Sequence, residues 1–255
     1  LLRGEKMSFA VHGLAWDTEY FGFPCANIDI SGTLSDNDAK ELVRLSRQYR
    51  FVTIHNPDAL IGNEKTILSL PNTMKTDVNI RLCSSDPAGI EGAVSALPLE
   101  IKEGYSVVLD NNMPLSPDVF DAVQGSFVHS RFYQDKHITM EKADGVFYNW
   151  LKNAQNRPDK YFCICRYQGR CAGVMLLSFI DKKSIVIELL SVCKTFQNMG
   201  IGTLMMRRLG VFRAEKNVTK ILVGTQERNS AALAFYKKNN FKSDRKTHIY
   251  HMWND

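Results

Sequence analysis

Three apparent strands, over 161–166, 171–180 and 184–192, are joined only by Gln168-Gly169-Arg170 and Asp181-Lys182-Lys183. Parallel neighbours need a crossover of about a dozen residues, so joins this short force an antiparallel meander. The third strand then runs into the bend Gln197-Asn198-Met199-Gly200-Ile201-Gly202. A predicted helix over 201–215 follows, with Ile201, Leu204, Met205, Leu209 and Phe212 near one face. A strand over 220–225, a helix over 230–239 and a strand over 246–253 complete the pattern. The expected class is α/β (α+β), with a mixed, largely antiparallel sheet.

Upstream, strands near 9–14, 25–30, 51–55 and 76–83 alternate with helices. Trp16-Asp17-Thr18-Glu19-Tyr20-Phe21-Gly22-Phe23-Pro24 reads as an aromatic loop, too rich in rings and turn formers for a regular element. Ser35, with Asp38 three residues on, reads as a helix cap. Pro87, Gly89, Gly92, Pro98 and Gly104 interrupt the stretch between Ser84 and Gly104. The expected division is therefore a smaller N-terminal α/β domain over 1–95 and a second domain over 105–255. The second domain opens with a strand over 105–110, then helices over 117–128 and 141–153 around an irregular stretch.

Composition excludes several classes. With 44% hydrophobic and 23% charged residues, the chain of 255 residues can bury a core. The net charge of +5 is spread along the chain, and its densest cluster is Lys237, Lys238, Lys242, Arg245 and Lys246. That cluster reads as a solvated face or the seat of a phosphate-bearing small ligand rather than a nucleic-acid surface. No stretch approaches the roughly 20 apolar residues of a membrane span, nor is there an apolar core of signal-peptide type, so the expectation is a cytoplasmic protein without a membrane partner. The six cysteines form no C-x-x-C pair and read as buried free thiols. His248 and His251, three apart on a strand, point to opposite faces, so no metal is expected.

The bend at 197–202 carries the chemistry. A helix that starts there leaves several backbone N–H groups without intrahelical acceptors, and its dipole favours an anion. Glycines at 200 and 202 permit the torsions and the close approach that a phosphate seat needs. A Walker loop would need Lys before Thr203, and a dinucleotide fingerprint would need a third glycine where Met205 stands. Both are rejected.

The segment resembles the Q/R-x-x-G-x-G/A pyrophosphate loop of the GNAT superfamily of N-acetyltransferases. Two neighbours extend the likeness over about 105–255: the strand Ile187-Glu188-Leu189-Leu190-Ser191-Val192, and Asn229-Ser230-Ala231-Ala232-Leu233-Ala234-Phe235-Tyr236-Lys237-Lys238-Asn239-Asn240-Phe241. The resemblance implies a GNAT fold and acetyl-CoA as cofactor. Main chain at Leu190, Ser191 and Val192 would pair with the pantetheine arm, and Gln197, Asn198, Met199, Gly200, Ile201 and Gly202 would hold the diphosphate. Asn229 and Ala232 would touch the cofactor, with Tyr236 beside the thioester sulfur.

Transfer to an amine requires a free-base nitrogen and a proton for the departing thiolate. Tyr236 suits the second role, because a phenol with a reference pKa of about 10 can donate to a thiolate whose acid is near 8.5. Glu188 is the candidate base: alternation puts it on one face with Leu190 and Val192, and burial would make it a better acceptor. An ion pair at Glu188, or a water chain as base, stays open.

A narrower resemblance runs to the bacterial dTDP-fucosamine (dTDP-4-amino-4,6-dideoxygalactose) acetyltransferase family. It rests on Leu14-Ala15-Trp16-Asp17-Thr18-Glu19-Tyr20-Phe21-Gly22, on Ser130-Arg131-Phe132-Tyr133 and on the helix over 145–154. The acceptor implied is a nucleotide-linked amino sugar. Arg131 suits a diphosphate or equally an ordinary surface ion pair, and Phe132, Tyr133, Trp16 or Phe21 suits a base or sugar face, although packing between the two halves is the favoured account of the rings. The partners expected are a small-molecule amine and, at most, a second copy in a homodimer. A protein or polyamine acceptor, or a non-catalytic acyl-CoA-binding module, is the alternative.

Overall fold

A computed structural model describes residues 7–85, 103–111 and 113–254 of the chain. Gln168 and Gly169 both take positive φ, 47° and 81°, the backbone that a two-residue hairpin requires. They join β6 (Lys160–Tyr167) to β7 (Arg170–Asp181), which pairs in turn with β8 (Ser184–Val192), all antiparallel. On one flank β5 (Tyr105–Asp110) adds to β6. On the other, β9 (Lys220–Gln226) joins β8 in parallel after a helical crossover, α6 (Ile201–Glu215).

The sheet continues without a break into the N-terminal half. That half contributes β1 (Phe9–Gly13), β2 (Cys25–Ile30), β3 (Phe51–Pro57) and β4 (Thr73–Ser84). The C-terminal strand, β10 (Lys242–Trp253), inserts between β3 and β4, antiparallel to both, while β4 also pairs with β9. The result is a 10-stranded sheet in the order β1-β2-β3-β10-β4-β9-β8-β7-β6-β5. The division at 95–105 thus has no counterpart in the strand pairing, and most of the stretch expected as a boundary lies outside the described residues.

Among the described residues six other helices cover the faces: α1 (Ala15–Phe21), α2 (Asp36–Ser46), α3 (Glu64–Leu68), α4 (Pro117–Asp121), α5 (Met140–Ala154) and α7 (Ser230–Lys238). The cap expected at Ser35 is a full capping box with Asp38 at the start of α2. Two expectations need correction. The aromatic stretch is helical as α1, where Trp16 and Tyr20, four apart, stack 5.4 Å centre to centre and left-handed Gly22 closes the C-terminus. The helix expected over 117–128 stops at Asp121, and the chain turns through Gly125 at φ 64°, whose N–H is held by Asp144.

Alternation along β7 separates two cores. Met175 and Leu177 pack under α6 and α7 with Met205, Leu209 and Tyr236, while Val174 and Leu176 pack with Phe132, Phe147 and Leu151 on the opposite face. A third core joins Ile28, Leu42, Ile54, Ile67 and Tyr250. All six cysteines are free, and His248 and His251 bond different carboxylates, Asp58 and Asp135. Among the described residues no helix is long and apolar enough to cross a membrane.

Candidate active site

The site begins with an irregularity in β8. Leu189 pairs with Leu176 and Ile187 with Leu177, so Glu188 has no partner and forms a β-bulge. Two consequences follow. Parallel pairing with β9 ends at Ile187–Val223, although β9 continues to Gln226 against β4, so the strands splay beyond this point. The bulge also reverses the facing of the residues beyond it: Leu190 and Val192 now pack toward the α6 core and Leu189 toward the opposite one.

The splay exposes β8 main chain, and α6 begins at its foot. Gly200, in the left-handed region at φ 83°, is the N-cap, and the first intrahelical bond goes from Leu204 to its carbonyl. The amides of Ile201, Gly202 and Thr203 thus have no acceptor within the helix. At Gly202 a Cβ would lie 3.0 Å from the Phe235 ring, so glycine there lets α6 and α7 approach. The cleft between them, about 710 Å³, is lined by Leu190, Ser191 and Val192, by the bend at Gln197, Asn198, Gly200, Ile201 and Gly202, and by Asn229, Ala232 and Tyr236. Met199, expected in this set, is instead 43% exposed and lines none of the described cavities. Ser191 contributes main chain only, because its hydroxyl is turned away to the Ala122 carbonyl and Ser126. Lys194, unassigned from sequence, and Lys238, from the basic cluster read as a solvated face or a phosphate seat, add positive charge to the cleft wall.

A strand edge without a partner, unpaired helix-terminal amides and two lysines match the three parts of coenzyme A: an amide-bearing arm, a diphosphate and a further phosphate. The residues fit the cofactor. Asn229 caps α7, its Oδ1 accepting from Ala232 N at 3.0 Å, which orients the helix that carries Tyr236. Tyr236 is 5% exposed, its phenol makes no hydrogen bond among the described residues, and burial raises its pKa above the usual tyrosine value.

Tyr236, Leu190, Asn229 and Ala232 also line a second cavity of about 470 Å³ beyond the splay. Glu188 borders it, but not as alternation predicts. The bulge turns it away from Leu190 and Val192 to the α5 side, where Lys160 and Ser178 hold Oε1 and Trp150 Nε1 donates to Oε2 at 2.8 Å. Both oxygens are thereby committed, and the ion pair is the role seen. Arg131 stands between this cavity and a third of about 350 Å³, with Phe132 and Trp150 shared and Trp16 at the far wall. The Arg131 Nε is sealed from solvent without a partner, and its guanidinium forms no hydrogen bond or ion pair among the described residues. Its Cζ lies 4.2 Å from the Phe132 ring centre.

The other rings are placed differently. Phe132 is 3% exposed, so only an edge reaches the cavities. Phe21, 5% exposed, packs among Phe23, Phe51 and Phe132 and reaches neither acceptor-side cavity. Tyr133 gives its hydroxyl to Asp144 and lines none of the described cavities. Sequence reasoning missed Asp77 and Asn79 of β4, which line the second cavity from the N-terminal half. No short-range pattern signals them, since they arrive through the pairing of β4 with β9.

Comparison with known proteins agrees with this geometry. Residues 121–241 match the Acetyltransferase (GNAT) family. The spore coat polysaccharide biosynthesis protein SpsD of Bacillus subtilis (strain 168) is 23% identical over 135 residues, covering 53% of this chain and 46% of that protein. The chain thus matches about half the length of this curated relative. Among solved structures, a conserved protein of unknown function from Staphylococcus epidermidis ATCC 12228 superposes with a TM-score of 0.65 at 12% identity, over 99% of this chain and 94% of that one. A GCN5-related N-acetyltransferase from Sphaerobacter thermophilus superposes with a TM-score of 0.63 at 11% identity, over 96% and 76%. Residues 121–241 are thus similar to the Acetyltransferase (GNAT) family, and the fold and a cleft that suits acetyl-CoA agree with that likeness.

Proposed function

We propose that the protein moves acetyl from acetyl-CoA directly to the primary amine of a nucleotide-linked amino sugar, with Tyr236 as the general acid. Bound acetyl-CoA supplies an activated thioester. The splayed main chain at Leu190 and Val192 and the amides of the 197–202 bend orient it, leaving the acyl end near Tyr236, where the two cavities join. A phenol that burial keeps protonated is suited to deliver its proton to the departing sulfur.

The observation that carries the acceptor class is Arg131. A largely enclosed guanidinium that makes no hydrogen bond or ion pair among the described residues, with the Asp17 and Asp77 carboxylates acting on it only at longer range, is costly, and such donors are ordinarily met by an anion. Here they border both outer cavities, the nearer of which, about 470 Å³, is also lined by Tyr236. Trp16 and Trp150 line the outermost cavity and offer faces for a nucleobase. The likeness to SpsD, a spore coat polysaccharide biosynthesis protein, points the same way. This reading keeps Arg131 and Trp16 in the substrate site and leaves Phe21 and Tyr133 to packing.

The test is a panel of dTDP- and UDP-amino sugars, polyamines and peptides assayed for acetyl-CoA-dependent thiol release. Turnover should be confined to nucleotide sugars. Arg131→Met should raise KM for these about tenfold or more while leaving acetyl-CoA affinity unchanged. Preference for a polyamine or peptide would overturn the reading, and binding of acetyl-CoA with no turnover on any amine would favour a non-catalytic module.

A further inference from the structure

We propose that Asp77 takes the proton from the incoming amine, so that the N-terminal half supplies the base while the GNAT half supplies the acid. The inference rests on the acceptor entering the cavity beyond Tyr236. Two carboxylates line that cavity, Glu188 and Asp77. Both oxygens of Glu188 are already held by Lys160, Ser178 and Trp150, which leaves Asp77.

Its placement comes from a second bulge. Asp77 pairs with Ile249 and Lys75 with Tyr250, so Thr76 is left without a partner on β10. Bulges re-aim neighbouring side chains, and here Asp77 and Asn79 border the cavity while Ile80 and Leu82 enter the core under α6. Asp77 is only 4% exposed. One oxygen, Oδ1, accepts from Val78 N at 2.8 Å, and Arg228 approaches it no closer than 3.9 Å, being tied to the Thr76 carbonyl. No hydrogen bond among the described residues occupies Oδ2.

The charged groups around it are Arg228 and Arg131, which favour the carboxylate, and Glu227, which opposes it. Burial outweighs them and pushes the carboxyl up to about 6. It is therefore ionised at neutral pH yet basic enough to hold a proton transiently. The steps balance as follows. The bound ammonium gives one proton to Asp77; the nitrogen lone pair forms the C–N bond to the acetyl carbon. The C–S bond breaks with its electron pair leaving on sulfur, which takes the Tyr236 proton. The surplus proton on nitrogen returns to the Tyr236 oxygen, and Asp77 releases its own to solvent.

The test compares the wild-type chain with Asp77→Asn, using whichever amine the panel shows to be turned over. At pH 7, kcat/KM for the amine should fall about 100-fold, with acetyl-CoA affinity unchanged. The acid limb of the profile should move from about 6 to the amine's own pKa, because the variant can use only amine already deprotonated. Asp77→Glu, which keeps a carboxylate, should retain a limb below that of the amine. Independently of any acceptor, carbon NMR of labelled aspartate should show a carboxyl titrating near 6 that is missing from Asp77→Asn. An unchanged kcat/KM and profile, a midpoint near the ordinary 4, or loss of the low limb in Asp77→Glu as well would overturn the proposal. Failure of every nucleotide sugar with turnover of another amine would instead remove the acceptor assignment and leave Asp77 tested on that amine.

Discussion

Tyr236→Phe separates chemistry from architecture at this site. The phenol makes no hydrogen bond among the described residues, so deleting the oxygen orphans no protein group. The ring, packed edge-on against Phe235 and Phe241 at centre distances of 5.4 and 5.5 Å, is retained. Folding free energy should therefore change by no more than about 0.5 kcal/mol. The barrier is another matter, because a positioned acid typically contributes 100-fold or more, about 2.7 kcal/mol. Expected, then, is a kcat lowered about 100-fold, acetyl-CoA affinity within about threefold of wild type, and a superimposable urea transition. Burial keeps the wild-type phenol protonated beyond the usual tyrosine range, so its ionisation should not limit the rate up to about pH 9. Thiol release in the steady state and binding by calorimetry are sufficient assays. A kcat within threefold of wild type would refute the acid role, and a matching loss of stability would reassign the effect to packing.

Glu188→Ala should behave in the opposite way. It strands the Lys160 ammonium, which is only 13% exposed, along with the Ser178 hydroxyl and the Trp150 N–H, at a cost of about 3 kcal/mol in urea denaturation. The kcat of the folded fraction should stay within a few-fold; a collapse of kcat with stability intact would restore Glu188 as base. A third expectation concerns acid. Burial pushes His251 down to about 4, so the folded chain binds its proton less readily than the unfolded chain, for which the reference is about 6.5. Its contribution is intact above about 6.5 and lost progressively as pH falls toward 4, up to about 3 kcal/mol. Asp135, held near 2 against desolvation by bonds from His251, His137 N and Trp253, adds stability that is lost at still lower pH. Thermal unfolding across pH 4–7 checks this, since His251→Gln should flatten the slope in that window.

What was legible in the sequence was what neighbouring residues enforce on each other. Short joins imposed the meander of β6, β7 and β8, and glycines marked the bend before α6. Period-two alternation failed at Glu188 because a bulge adds one residue without changing composition, so the facing reverses silently. Ring-rich α1 was missed because helical stacking of Trp16 on Tyr20 looks, residue by residue, like turn chemistry. The proline- and glycine-rich stretch suggested a domain border, yet the sheet is joined by β10 pairing with strands more than 150 positions away in the sequence. Asp77 was invisible for the same reason: a lone acid in β4 acquires meaning only when β9 and α7 close the cavity around it.

The insertion of β10 has a consequence for biosynthesis. A ribosome adds about 5–20 residues per second and keeps the newest ones out of reach. The first four strands must wait for β10, more than 150 residues further along, before the gap between β3 and β4 is filled, with both strands exposing unpaired edges meanwhile. Polypeptides released before β10 is made should therefore be aggregation-prone rather than partly active.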